Sequence, residues 1–272
     1  FLLYLMAYMF AMKYPETYDE LYNVCKKLTL DTNGDGETDI YGLIMQLVTP
    51  IDIVDSFYSF MLSWGGDVFD ENMMPTVNSS ECVDALAFFV KIANDCVPKG
   101  MLSAGAADAA TLMCQGKGAI MINYDNFGPW VNDPAKSQVA GKVAFTTVPK
   151  KAKSASEVCY FMWTIPSHLP PERQRAAYEF VSWAVQDDVQ WNYQAPSGMN
   201  PVRPSILEDP KYVEKFPFAK ALSGALKEGK PYPDVPEVFE VMGVFGTELA
   251  NAVTKKKIPK QALTTHTRES MI

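Results

Sequence analysis

An α/β fold of two lobes is the expectation, and three observations lead to it. The chain has 272 residues, more than one hydrophobic core usually organises. Helix and strand patterns alternate from about residue 17 to residue 165, which is the order of a sheet covered by helices. From Pro170 onward the patterns are almost all helical. Hydrophobic residues make up 48% and charged residues 21%, the balance of a globular protein able to pack a core. The formal net charge of −8 argues against a surface built to neutralise phosphates, so no nucleic-acid partner is expected. The one dense basic run, Lys255 to Lys257, reads as a solvated helix end.

The elements follow in order. Thr17-x-x-Glu20 is a capping box, and Leu21, Val24, Cys25 and Leu28 recur at helical spacing, which predicts a helix over Thr17 to Leu28. Asp31 to Asp39 is a polar loop containing glycine. Ile40 to Val48 is apolar enough for a buried strand, and Asp52 to Trp64 suits a helix stopped by Gly65 and Gly66. Asn78 or Ser79 caps the next helix, whose apolar face is Cys82, Leu86, Phe89 and Ile92 and which ends before Pro98. Ala106 to Gln115 is helical and stops at Gly116, before a short strand over Ala119 to Asn123. Lys142 to Val148 and Cys159 to Ile165 read as further strands. Ala177, Phe180, Val181 and Ala184 then mark an amphipathic helix, and Asp188 to Tyr193 a short one. Helices are expected over Phe216 to Lys227, Glu237 to Val253 and Pro259 to about Ser270.

The five cysteines, Cys25, Cys82, Cys96, Cys114 and Cys159, contain no C-x-x-C pair and no Cys/His spacing for zinc. Their odd number rules out a fully paired intramolecular set, and buried free thiols are expected. Phe1 to Met12 is apolar but too short to span a membrane and lacks the basic flank of a signal peptide. It reads as an apolar arm at the start of a fragment or processed chain. No G-x-S-x-G, H-E-x-x-H or P-loop is present, and His168 and His266 are the sole histidines.

Several segments carry a family resemblance. Tyr14 to Leu21 (YPETYDEL) resembles a "PxTWdEL" helix start, and Asp31 to Gly42 (DTNGDGETDIYG) resembles a "DtNGDGxxDxyG" loop. Trp64 to Glu71 (WGGDVFDE), followed by Asn78, Ser79 and the helix at Ala85 to Phe89, resembles "wGGdlfDe…vnSpeaveALeff". Gln115 to Met121 resembles "fxxGkaAM", and Gly198 to Ser205 resembles "Gx.PvrxSv". Together, in this order, they resemble family 1 extracellular solute-binding proteins of bacterial ATP-binding-cassette importers, the sugar-binding kind.

The resemblance implies a class II periplasmic-binding-protein-like fold with an incomplete first lobe. Residues 13–163 and 212–272 would form the C-terminal lobe, and 164–209 a helical remnant of the N-terminal lobe. It implies non-catalytic capture of a carbohydrate or related solute for delivery to permease subunits. It also implies export to the periplasm or cell exterior, with a lipid anchor on the full-length parent, and no redox or nucleotide cofactor. A carbohydrate-active hydrolase using cleft carboxylates is the alternative. A chain lacking part of one lobe would expose the helix around Ala177, Phe180 and Val181 and is expected to self-associate.

Sugar sites combine stacking aromatics with planar hydrogen-bonding groups. Where the resemblance places the cleft, the candidates are Asp52, Asp55 and Ser56 before the Gly-Gly turn, Tyr124, Asp125, Phe127 and Trp130 after the "GkaAM"-like strand, Tyr160 and Trp163 near a lobe crossing, and Arg203. The helix that supplies a stacking aromatic in maltose-binding members here has Met242 at the nearest position. Asp31, Asn33, Asp35 and Asp39 occupy positions 1, 3, 5 and 9 of an EF-hand-like loop with Gly36 at position 6. Gly42 stands where a bidentate carboxylate belongs, so a structural Ca2+ and a solvated turn are both open readings.

Overall fold

The computed structural model describes residues 3–8, 14–159, 162–194 and 200–264. A four-stranded sheet is built from β1 (Leu3–Tyr8), β2 (Tyr41–Ile44), β3 (Gly118–Tyr124) and β4 (Val143–Thr147), in the order β2-β3-β1-β4. β2 runs parallel to β3, with Leu43 opposite Ile120, and β1 is antiparallel to both β3 and β4. β3 is buried from Gly118 to Asn123. That explains its unbroken apolar run, because an inner strand covered on both faces has no solvent side to alternate towards. Leu3–Tyr8 is therefore an inner strand and not the arm expected from the sequence. An apolar run becomes a strand where two neighbours leave their ladders open to it.

Helices cover this sheet. α1 (Tyr18–Lys27) begins at the expected capping box: the Glu20 amide donates to Thr17 Oγ1 at 3.2 Å and the Glu20 carboxylate accepts from the Thr17 amide. α2 (Asp52–Trp64) ends at Gly65, whose φ of 92° places it in the left-handed region. α3 (Ser80–Cys96) is capped by Ser79 and buries Cys82, Leu86, Phe89 and Ile92, the face its spacing predicts. α4 (Ala106–Cys114) precedes β3, and the short α5 (Gly128–Asn132) follows it. α6 (Pro171–Ala184) and α7 (Asp187–Val189) lead into a wide turn over Gln190–Gln194. Then come α8 (Pro204–Leu207), α9 (Pro210–Lys215), α10 (Ala219–Glu228), α11 (Val238–Val253) and α12 (Pro259–Thr264). Residues 265–270 of the last expected helix lie outside the described residues.

The main core packs α1, α2, α3 and α11 together with β2 and β3 around Phe57, Phe60, Phe89 and Phe245. A smaller cluster joins Val158, Ile206, Leu207, Tyr212, Ala219, Leu222 and Ala225, so packing is continuous across residues 209–212. Four cysteines are buried, and among the described residues none is joined in a disulfide.

One further expectation needs correction. Cys159 to Ile165 forms no strand among its described residues: Glu157 makes an isolated bridge to Lys230, after which Met162 and Trp163 are exposed. An apolar run without a neighbouring ladder gains nothing from extension. The apolar residues of α6 stand uncovered, as expected for the helix around Ala177, Phe180 and Val181: Ala184 is its one buried residue, while Tyr178, Phe180 and Trp183 are exposed.

Candidate functional site

α2 positions the site. It is buried at every residue from Ile53 to Ser63, yet it carries Asp55, Ser56, Ser59 and Ser63. Buried polar groups need partners, and each of these has one. Ser63 Oγ donates to the Ala155 carbonyl at 3.2 Å, Ser59 Oγ accepts from the Glu157 amide at 2.8 Å, and Ser56 Oγ donates to the Gln46 carbonyl at 2.7 Å. Ser56 was expected in the cleft. Its side chain is fully buried against that carbonyl, because one residue along a helix turns the side chain about 100° from Asp55.

Asp55 is the centre of the arrangement. Its Oδ2 accepts from the hydroxyl of Tyr124, at the end of β3, and its Oδ1 accepts from the hydroxyl of Tyr232 at 2.5 Å. The Tyr232 ring lies 4.5 Å from the Tyr58 ring, and the Tyr58 hydroxyl donates to the Pro231 carbonyl at 3.2 Å. Burial pushes the Asp55 carboxyl above its usual range, with the two phenol donors acting against that shift. Asp52, one turn earlier, is also raised, first by burial and then by the charge of Asp55. Tyr124 and Tyr232 are raised by burial and by the adjacent carboxylate.

Behind these groups lies Glu157, fully buried, with neither carboxylate oxygen hydrogen-bonded. Burial holds it well above the ordinary carboxylate range, and the charge of Asp55 adds to the shift. Gln46 is likewise fully buried and faces the Tyr124 hydroxyl without completing a hydrogen bond.

The turn after β3 gathers the remaining candidates. Asp125 is buried and accepts from Asn200 Nδ2, which ties the turn to the segment before α8. Phe127 is buried and meets Trp130 edge-to-face at 5.1 Å between centroids. Trp130 remains 41% exposed, with Lys136 Nζ 5.8 Å from its ring centroid. The structure thus brings together Asp52, Asp55 and Tyr124, and sets Asp125, Phe127 and Trp130 on the adjoining turn.

Others fall elsewhere. The Trp163 ring lies tilted against Phe180 of α6 with centroids 5.4 Å apart, and Arg203 pairs with Asp187 at 3.2 Å while donating to the Val185 carbonyl. Tyr160 lies outside the described residues. Three contributors escaped the sequence reading: Glu157, Gln46 and Tyr232. The placement of Tyr232 between Pro231 and Pro233 was the available signal, since an aromatic held in an extended segment is set to face a neighbour.

The EF-hand-like loop is an exposed turn. Asp31 accepts from the amides of Gly34 at 2.6 Å and Gly36 at 2.8 Å, and Asp39 accepts from the Thr32 amide and hydroxyl. Asp35 accepts from Asn33 Nδ2 at 3.0 Å and from the Glu37 amide at 2.8 Å. The carboxylates are thus taken up by the loop's own donors. Among the described residues, no three His, Cys, Asp or Glu side chains converge to hold a metal ion. Nor is any described helix long and apolar enough to cross a membrane.

Comparison with known proteins places the fold. A probable amino-acid ABC transporter periplasmic-binding protein of Sinorhizobium fredii is 26% identical over 250 residues, 91% of this chain and 54% of that protein. The galactooligosaccharide-binding protein of Bacillus subtilis is 26% identical over 263 residues, 92% of this chain and 58% of that protein. The chain therefore spans a little over half the length of these relatives. Among solved structures, maltose-bound MalE3 of T. maritima superposes with a TM-score of 0.83 at 25% identity, over 98% of this chain and 69% of that one. A solute-binding protein of Agrobacterium radiobacter, in complex with ribitol, gives 0.85 at 23% identity, over 98% and 68%. The fold is that of the periplasmic solute-binding proteins. The family model described as bacterial extracellular solute-binding protein matches residues 1–219, and the chain belongs to that family.

Proposed function

We propose that this chain binds a carbohydrate or a related polyol without chemical change and serves an ATP-binding-cassette importer by presenting it to permease subunits. The observation that carries the reading is the coupling of half-exposed aromatic rings to buried carboxylates at the end of β3: Tyr124 on Asp55, with Trp130 on the following turn. Rings of this kind take the apolar face of a sugar, and fixed polar groups take its hydroxyl rim. The named ligands of similar proteins, galactooligosaccharide, maltose and ribitol, support the same class. Work outside the cytoplasm, in the periplasm or at a lipid-anchored surface, accords with the family.

A thermal-shift screen of maltose, galactooligosaccharides, ribitol, D-mannitol and a set of amino acids tests the proposal, because a ligand of the native state raises Tm by mass action. Stabilisation by a sugar or polyol supports it. Stabilisation by amino acids alone overturns the carbohydrate class, and turnover of a chromogenic glycoside overturns the non-catalytic role.

Self-association of this chain is the second part of the proposal. Trp163, Phe180, Trp183 and Tyr193 form an exposed row in which successive rings are 5.4, 5.9 and 6.3 Å apart. Burying such a row between two copies removes apolar surface from water. With β1 committed to the sheet interior, this row and not an N-terminal arm is the surface offered for the contact.

A further inference from the structure

We infer that Asp55 acts as a positioning residue that orients Tyr124 and Tyr232 as paired walls of the solute site, so that both present acceptor oxygens to a hydroxyl-donating solute. The inference rests on the solute-binding proposal and adds Tyr232, along with a rule of selectivity, to it. Asp55 is 7% exposed, and each of its oxygens receives a phenol proton. A carboxylate so enclosed reaches a solute through the groups it holds. The two tyrosines arrive from separate places, one from the end of β3 and the other from the Pro-flanked segment before α11, and Asp55 on α2 is their common anchor.

The chemistry then follows from proton count. A tyrosine hydroxyl has one proton to give. Once that proton is directed to Asp55, the phenol oxygen has lone pairs alone to offer, in Tyr124 beside the Gln46 amide and in Tyr232 beside the Tyr58 ring. A solute meeting these oxygens must donate. A sugar hydroxyl can do so, whereas fluorine or a methoxy group at the same carbon cannot. The Tyr232 ring also packs in an apolar cluster with Val54, Val68, Met242 and Phe245, so the residue has an apolar flank next to its polar end.

Two measurements on the full chain test this. With 13Cζ-labelled tyrosine, Tyr124→Phe and Tyr232→Phe each assign one resonance. Both resonances should move in Asp55→Asn and should titrate with one shared acid midpoint in the parent. Resonances that ignore Asp55 would overturn the positioning role, with or without a ligand.

For the second, calorimetry compares maltose, D-mannitol and ribitol with monofluoro analogues of whichever binds. At least one fluorine substitution should weaken binding tenfold or more, and Tyr124→Phe or Tyr232→Phe should abolish that discrimination, a change that loss of packing alone would not cause. Retained discrimination in both variants would overturn the acceptor rule. Failure of all three probes, with amino acids binding instead, would remove the carbohydrate proposal and the selectivity rule together, while the resonance data would still decide whether Asp55 holds the two phenols.

Discussion

The Tyr232 hydroxyl donates to Asp55 Oδ1 at 2.5 Å across 177 residues of sequence, and it does so inside the same buried layer as Glu157, a carboxylate with no hydrogen bond of its own. Two acids therefore share one apolar surrounding under opposite conditions. Asp55 is supported by two phenol donors, and Glu157 faces desolvation with no hydrogen-bond donor on either oxygen. Their different support makes the first prediction possible.

Glu157→Gln should stabilise the chain at neutral pH, because an amide of the same shape cannot ionise and so escapes the penalty that burial places on the charged carboxylate. An acid whose folded pKa is raised binds more protons in the native state, so stability falls as pH climbs from about the ordinary value of 4.5 through the raised value. The variant should flatten that decline and match the parent below pH 4.5. Urea midpoints taken across pH 4 to 8 decide this, and an unchanged slope would count against it.

Two glycines on α11 should respond with opposite signs. A Cβ at Gly246 would lie 1.8 Å from the Pro50 carbonyl oxygen, whereas one at Gly243 would meet nothing within 4 Å. Gly246→Ala should cost at least the 1–3 kcal/mol or so typical of overpacking, since backbone has little room to yield. Gly243→Ala should stabilise by roughly 0.5–1 kcal/mol, the helix preference for alanine. Denaturant unfolding of the pair checks both.

Trp130→Ala should weaken binding of the solute found by the thermal-shift screen more than tenfold, about 1.4 kcal/mol or greater. The ring is exposed and braced edge-on by Phe127, so its loss removes a platform while leaving most of the core intact. Equal affinity in the variant and the parent would return Trp130 to a packing role.

For the aromatic row, light scattering should show a mass that rises with concentration. Phe180→Lys combined with Trp183→Lys should abolish the rise without lowering Tm by more than a few degrees, because both residues are exposed. A strict monomer at high concentration in the unaltered chain would exclude the contact.

Much of this architecture is legible locally. The capping box at Thr17 and Glu20, the Gly65 stop of α2 and the Ser79 cap of α3 depend on residues within one turn of each other, and all three occur as read. Asp55 and Tyr124 were legible as candidates because each sits beside a recognisable motif. Glu157 was not, and Tyr232 carried no more than its Pro-flanked setting, since the significance of both exists once distant segments meet. Ser56 shows the converse: residue type suggested a cleft, but helical phase turned it to the Gln46 carbonyl. Cys159 to Ile165 had strand-like composition, and composition cannot supply the neighbouring strand that extension requires.

The polar partners of α2 have a further effect, on where the helix stops along its own axis. A helix surrounded by apolar side chains from Ile53 to Ser63 could slide by a turn, about 5.4 Å, and meet much the same oily surroundings. Ser56, Ser59 and Ser63 prevent this, for each matches one particular backbone group, the carbonyl of Gln46, the amide of Glu157 and the carbonyl of Ala155. A displaced helix would strand all three hydroxyls and the paired phenols of Asp55 at once. These small residues thus act as an index that penalises every shifted alignment, and through it the Tyr124–Asp55–Tyr232 geometry is specified by serines that take no part in it.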